Sequence, residues 1–240
     1  MNIIKFYPFS EATLDFAPPP EPSSKFLPAW YKKTPSSINN DEGLKHGQAN
    51  STVKKCMPIF DIITAGYIIP LPCDVYLDAT DPERLSWSIP GSLLSYQGDM
   101  FASHAKEQFS EMPIDKDIYH KDLLRIFPFW AVGTAKGYSS LFVQPQYSDN
   151  STLTALQAIV DTDTFVSDGH LSFLVEKGFK GVIKQGTPLV QVIPFKRESW
   201  KMEIVSAEES AKKMGTQRLK VRSSFTNSYK NKFRSKKDYS

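Results

Sequence analysis

Proline and glycine break this chain so often that long regular elements have little room outside its C-terminal end. The 240 residues include 17 Pro and 12 Gly. Between the breaks lie short apolar, β-branched runs of strand length rather than helix length. Tyr67–Ile69, Ser139–Val143, Leu156–Val160, Leu171–Val175, Gly181–Ile183 and Pro188–Phe195 are such runs. Residues 74–78 and 84–89 flank an Asp81-Pro82 turn as a hairpin. Trp200, Met202 and Ile204 alternate with polar residues, the pattern of a half-buried strand. Short strands at this spacing predict a mainly β fold, a barrel or sandwich over residues 53–205.

Two arms flank that core. Residues 1–52 read as a strand near 2–7, a proline-rich spacer at 17–24, the aromatic pair Trp30-Tyr31 and a polar loop at 34–51. Residues 206–240 read as a helical basic arm. Ser206 to Glu209 has capping-box form and predicts a helix over 207–215. Val221, Phe225, Tyr229 and Phe233 recur every four residues and place an apolar stripe on one helical face.

Charge is divided along the same line. Residues 211–240 hold ten basic residues and one acid, a charge of +9. The whole chain carries +3, so residues 1–210 carry −6. A basic segment can bind nucleic acid through phosphates. The apolar stripe favours docking on the acidic body or on another copy, and a homo-oligomer is expected. Cys56 and Cys73 form no CxxC pair and no zinc pattern. The opening residues MNIIKFYPFS have neither the basic start nor the long apolar run of a leader. No run approaches the roughly 18 apolar residues of a membrane span. A soluble protein of a reducing cytoplasm, with no membrane partner, is expected.

Three segments carry most of the chemical interest. They are Gly137-Tyr138-Ser139-Ser140-Leu141, Ile159-Val160-Asp161-Thr162-Asp163 and Gly186-Thr187-Pro188-Leu189-Val190-Gln191. In order and spacing they resemble the dUTPase and dCTP deaminase superfamily. The resemblance covers about a quarter of the chain and implies a dUTPase-like β-barrel around a nucleotide pocket. It implies ligand contacts from Ser139, Ser140, Asp163 and Gln191, and a catalytic role for Asp161. Mg2+ is implied if a nucleotide is bound. Adjacent serines after a glycine can offer hydroxyls and N–H groups to phosphate oxygens, and a carboxylate at a strand end can orient water or a sugar hydroxyl. This chain has Tyr138 where the family has its phosphate-binding arginine, and Thr164 where the family has an aromatic. The fold therefore transfers more readily than the activity. Gly, Ser and Asp also serve as plain turn residues in any small-strand barrel.

A second resemblance covers most of the chain. Pro28 to Lys33, Val53 to Pro58, Thr64 to Pro72, His104 with Gln108, Gly137 to Ser139, Ile159 to Asp163 and Gly186 to Arg197 resemble a family of uncharacterised proteins of bacteriophages and some bacteria. It implies a phage or prophage setting, in the cytoplasm of a bacterial host or in the virion, and no activity.

His104 and Gln108 stand four apart, so a helix would present both on one face as a ligand-contacting pair or a solvated one. Arg197 is a further anion-contact candidate. His120-x-Asp122 with His170 and Arg197 imitates the facial triad of non-haem Fe(II)/2-oxoglutarate oxygenases, against a plain reading as unrelated surface histidines. No metal site is assigned. Two functional classes follow: an accessory protein binding a nucleotide-like or other small anionic ligand, or a non-catalytic assembly, interaction or virion protein. Whether the chain is an enzyme stays open at this stage.

Overall fold

The computed structural model describes residues 2–38, 51–96, 100–104, 106–166, 171–222 and 229–239. The fold is mainly β, with fourteen strands in four sheets among these residues. Every strand pairing is antiparallel. The chain divides into two compact units. One joins Met1–Pro28 to Ile63–Arg197, and the other joins Ala29–Ile62 to Glu198–Ser240.

The first unit holds all four sheets. Two strands, β1 (Lys5–Pro8) and β2 (Glu21–Pro22), come from the segment read as an N-terminal arm. A short helix, α1 (Thr13–Phe16), lies between them. The others are β3 (Tyr67–Pro70), β4 (Val75–Asp78), β5 (Ser86–Ser88), β6 (Phe101–His104) and β7 (Leu123–Ile126). Then follow β8 (Trp130–Gly133), β9 (Tyr138–Val143), β10 (Leu153–Ala155) and β11 (Ala158–Val160). The last are β12 (Leu171–Val175), β13 (Lys180–Ile183) and β14 (Pro188–Lys196). Sheet orders are β11-β9-β14-β3-β2, β10-β12-β7-β6, β13-β4-β5 and β1-β8. None of these sheets closes into a barrel, so only the sheet-rich class of the sequence reading carries over as stated.

Burial explains the layout. Leu189, Val190, Gln191 and Val192 are all buried, so β14 is covered on both faces. A strand so placed reads as a continuous apolar run rather than an alternating one. Ile69, Leu124, Phe173, Val175 and Val192 are fully buried in one core cluster. Each such side chain contributes about 1.5–3 kcal/mol relative to exposure. Phe127, Phe129 and Trp130 join the same cluster. Phe129 sits at φ 61 between β7 and β8, a left-handed conformation that an aromatic residue seldom adopts. Its ring is held at about T-shaped angles by Phe16, 5.1 Å away, and by Phe9, 6.0 Å away.

The second unit is built from helices and irregular chain. Helix α2 (Ala29–Lys33) brings Tyr31 into its interior, where the residue is 3% exposed. Helix α3 (Met57–Ile63) supplies Phe60 and Asp61. The Asp61 carboxylate accepts from Arg234 Nε at 2.9 Å, Arg234 Nη2 at 2.6 Å and Lys237 Nζ at 2.8 Å. Two basic residues of the C-terminal arm thus dock within their own chain. Helix α4 (Ala207–Arg222) starts where the capping box placed it and runs seven residues beyond the expected end. The Ser206 hydroxyl oxygen accepts the Glu209 N–H at 3.2 Å. Tyr229–Phe233 forms a separate wide turn, closed by the Arg234 N–H on the Tyr229 carbonyl at 2.9 Å. Phe225 lies outside the described residues. Tyr229 and Phe233 remain 46% and 37% exposed, so the predicted stripe is only partly covered there.

One strand expectation is corrected. Residues 198–205 carry no secondary structure, and Trp200, Met202 and Ile204 are exposed rather than half-buried. Their alternation finds no described strand to pair with. Among the described residues no helix is long and apolar enough to cross a membrane.

Candidate functional site

Three of the residues singled out from sequence meet Arg197 at one end of β9. Gly137, at φ 87, turns the chain into β9 and delivers Ser139. The Ser139 hydroxyl donates to Asp161 Oδ1 at 2.6 Å. Arg197 Nη1 donates to Asp163 Oδ1 at 2.7 Å, Ser139 Oγ at 3.1 Å and Asp161 Oδ1 at 3.3 Å. Arg197 Nη2 donates to Asp163 Oδ2 at 2.5 Å, which also receives the Gly137 N–H at 2.7 Å. The Asp163 side chain is 2% exposed and that of Asp161 is 61% exposed. Arg197 first, and the Gly137 N–H second, lower the Asp163 carboxyl to about 2. Asp163 in turn raises the Arg197 guanidinium.

This arrangement is a clasp before it is a receptor. Two carboxylates face one guanidinium, leaving a formal charge of −1. An anion reaching Arg197 must compete with Asp163, already in bidentate geometry, and with Asp161. The exposed Asp161 carboxylate remains able to accept a hydroxyl or a proton from a ligand.

The other residues scatter. Ser140 is buried, its hydroxyl 2.9 Å from Thr162 Oγ1. Gln191 is buried in β14, where Oε1 accepts the Gln146 N–H at 3.0 Å and Nε2 donates to the Ala65 carbonyl at 2.6 Å. Both amide ends therefore hold backbone. His104, at the end of β6, does meet Gln108: Nδ1 lies 3.0 Å from Gln108 Oε1, and Nε2 lies 3.1 Å from Ser172 Oγ. His120 is not a surface residue. It is 2% exposed, with Nδ1 accepting the Asp122 N–H at 3.0 Å and Nε2 2.8 Å from the Asp81 carbonyl. Both ring nitrogens are thus engaged with backbone. His170 lies outside the described residues, and among those described no three His, Cys, Asp or Glu side chains gather as a metal site. Cys56 and Cys73 are free thiols, and burial pushes that of Cys73 up to about 11.

Sequence reasoning missed a cavity of about 280 Å³ in the first unit. Its walls include Trp130 of β8, Phe142 of β9, Val160 of β11, Leu171 of β12, Thr162 and Phe165. Ser172, the partner of His104, also lines it. The Trp130 indole N–H is buried and has no acceptor among the described residues. The only signal available was indirect: Val160 and Thr162 flank Asp161 in the second motif. No family model, no curated protein and no solved structure matches the chain.

Proposed function

We propose that this chain binds a small, uncharged heteroaromatic ligand of the nucleoside class. The cavity carries the reading. Its volume sits just below the roughly 300–1,000 Å³ of typical ligand sites, and Trp130, Phe142 and Phe165 give it flat apolar walls. Trp130, which lines the cavity, also carries an indole N–H with no acceptor among the described residues. The segments resembling the dUTPase superfamily lie on β11, β9 and β14, which are neighbours in one sheet. That adjacency supports a dUTPase-like ancestry for the fold. No Lys or Arg is among the described residues that line the cavity, so a nucleoside is preferred over a nucleotide and Mg2+ is not required. The bacteriophage setting rests on the sequence segments that resemble phage proteins.

Thermal unfolding with deoxynucleosides and deoxynucleotides, with and without Mg2+, tests this. Ligand at a hundred times its Kd stabilises by about 2.7 kcal/mol. The expected result is a rise in Tm with one or more nucleosides, unchanged by Mg2+ and quenched Trp fluorescence that Trp130→Phe abolishes. No shift with any nucleoside at millimolar concentration overturns the reading.

A second reading has its own observation. Three large apolar side chains stand bare in residues 198–205. They favour an assembly or interaction role for the second unit.

A further inference from the structure

The segment between β14 and α4 reads Glu198-Ser199-Trp200-Lys201-Met202-Glu203-Ile204-Val205. Trp200, Met202 and Ile204 are 88%, 85% and 86% exposed. So much apolar surface in five residues is unfavourable in water and marks a contact surface. Among the described residues none pairs with the backbone from Ser199 to Val205. The segment therefore offers unpaired backbone groups and, from Trp200 to Ile204, a one-sided apolar pattern, the two things a pairing strand needs.

Its charges specify the partner. Lys201 and Glu203 flank Met202 at equal distance, as do Trp200 and Ile204. Two copies laid antiparallel with Met202 opposite Met202 bring Trp200 against Ile204 of the second copy. The same register sets Lys201 opposite Glu203, twice. Directly opposed residues share a face, so Trp200, Met202 and Ile204 of both copies fall on one side and the four charges of Lys201 and Glu203 on the other, with Val205, 46% exposed, opposite Ser199 on the charged side. Other registers fail. Centring on Lys201 opposes two lysines, and centring on Glu203 opposes two glutamates. A parallel in-register pair opposes like charges at both positions. A half-step register puts Lys201 beside Met202 and mixes the faces.

We propose that residues 198–205 are a self-association strand, and that the partner is a second copy of this chain, paired antiparallel about Met202 with two-fold symmetry. This rests on the second reading above, that the chain acts through contact with another protein surface. The contact is isologous, so it closes at a dimer and does not propagate.

The test is sedimentation equilibrium of the full chain over a wide concentration range. A reversible dimer is expected. Lys201→Glu and Glu203→Lys each turn two attractive pairs into repulsive ones and should raise the dimer Kd about tenfold. The double variant Lys201→Glu/Glu203→Lys restores opposite charges and should recover wild-type affinity. Trp200→Ser should leave a monomer with unchanged circular dichroism. A wild-type protein that stays monomeric to millimolar concentration overturns the proposal, and so does a dimer indifferent to both reversals or not rescued by the double swap. A monomer that still binds nucleosides sinks this proposal and spares the cavity. A dimer without any nucleoside shift does the reverse.

Discussion

Gly66 shows how tightly one residue can be constrained. At φ +64 it lies so close to β14 that a Cβ built there would stand 2.0 Å from the Val192 carbonyl oxygen. That oxygen belongs to backbone at the centre of a sheet and cannot yield cheaply. Gly66→Ala should destabilise the fold by about 3 kcal/mol or more, combining strain with displaced strand pairing. Urea denaturation measures it directly. Gly137→Ala is the useful contrast, because its Cβ would meet nothing within 4 Å and only the backbone preference is lost. Asp163 makes a different prediction at the same scale. Its folded-state value of about 2 lies below the ~3.9 of an unfolded aspartate. The clasp therefore contributes fully above about pH 4, and the contribution is lost as pH falls towards 2. A plot of Tm against pH should fall less steeply over that window for Asp163→Asn than for the wild type. Asp78, also lowered to about 2, first by Lys180, keeps the remaining slope together with Asp61 and Asp74, whose carboxyls are lowered too.

Elements show which parts of the fold were legible. Strands β9, β12, β13 and β14 lie where their apolar runs predicted, because Gly137, Gly178 and Gly186 all turn the chain at positive φ. Strand β7 was missed because Leu123, Leu124 and Ile126 are buried on both faces, which erases alternation. The segment at Trp200 alternates well and still forms no strand, since a period of two describes a face but does not supply a neighbour. Gln191 illustrates the limit on site reading. A glutamine in a motif is indistinguishable by sequence from one that ties a buried strand to Gln146 and Ala65. The cavity was invisible because β8, β9, β11 and β12 each contribute one or two ordinary apolar residues. Helix α4 was legible from its cap, and that cap can be tested. Ser206→Ala should cost about 1 kcal/mol of helix stability, read as a loss of ellipticity at 222 nm.

At the scale of the whole molecule, the uneven charge acquires a structural account within the second unit. Asp61 holds Arg234 and Lys237, and its own side chain is 11% exposed. Arg234 also lies over the Phe60 ring at 5.7 Å. Hydrogen bonds from Arg234, then from Lys237, keep the Asp61 carboxyl below the usual range. Asp61→Ala should release the C-terminal residues and speed tryptic cleavage beyond Tyr229 about tenfold, since cleavage tracks the open population. Equal rates in variant and wild type would show that other contacts hold the segment.

Strand β14 also sets a timetable for synthesis. It lies between β9 and β3 in the five-stranded sheet, yet every other strand among the described residues precedes it in the chain. While a ribosome is still translating residues before 188, β3 and β9 have no strand between them and present bare edges. Those edges are the kind that recruit neighbouring chains in a polysome. The interval between the emergence of Val143 and that of Lys196 is therefore the period of greatest exposure to aggregation. Synonymous codons that slow elongation over that stretch would lengthen it without altering a single residue of the finished protein.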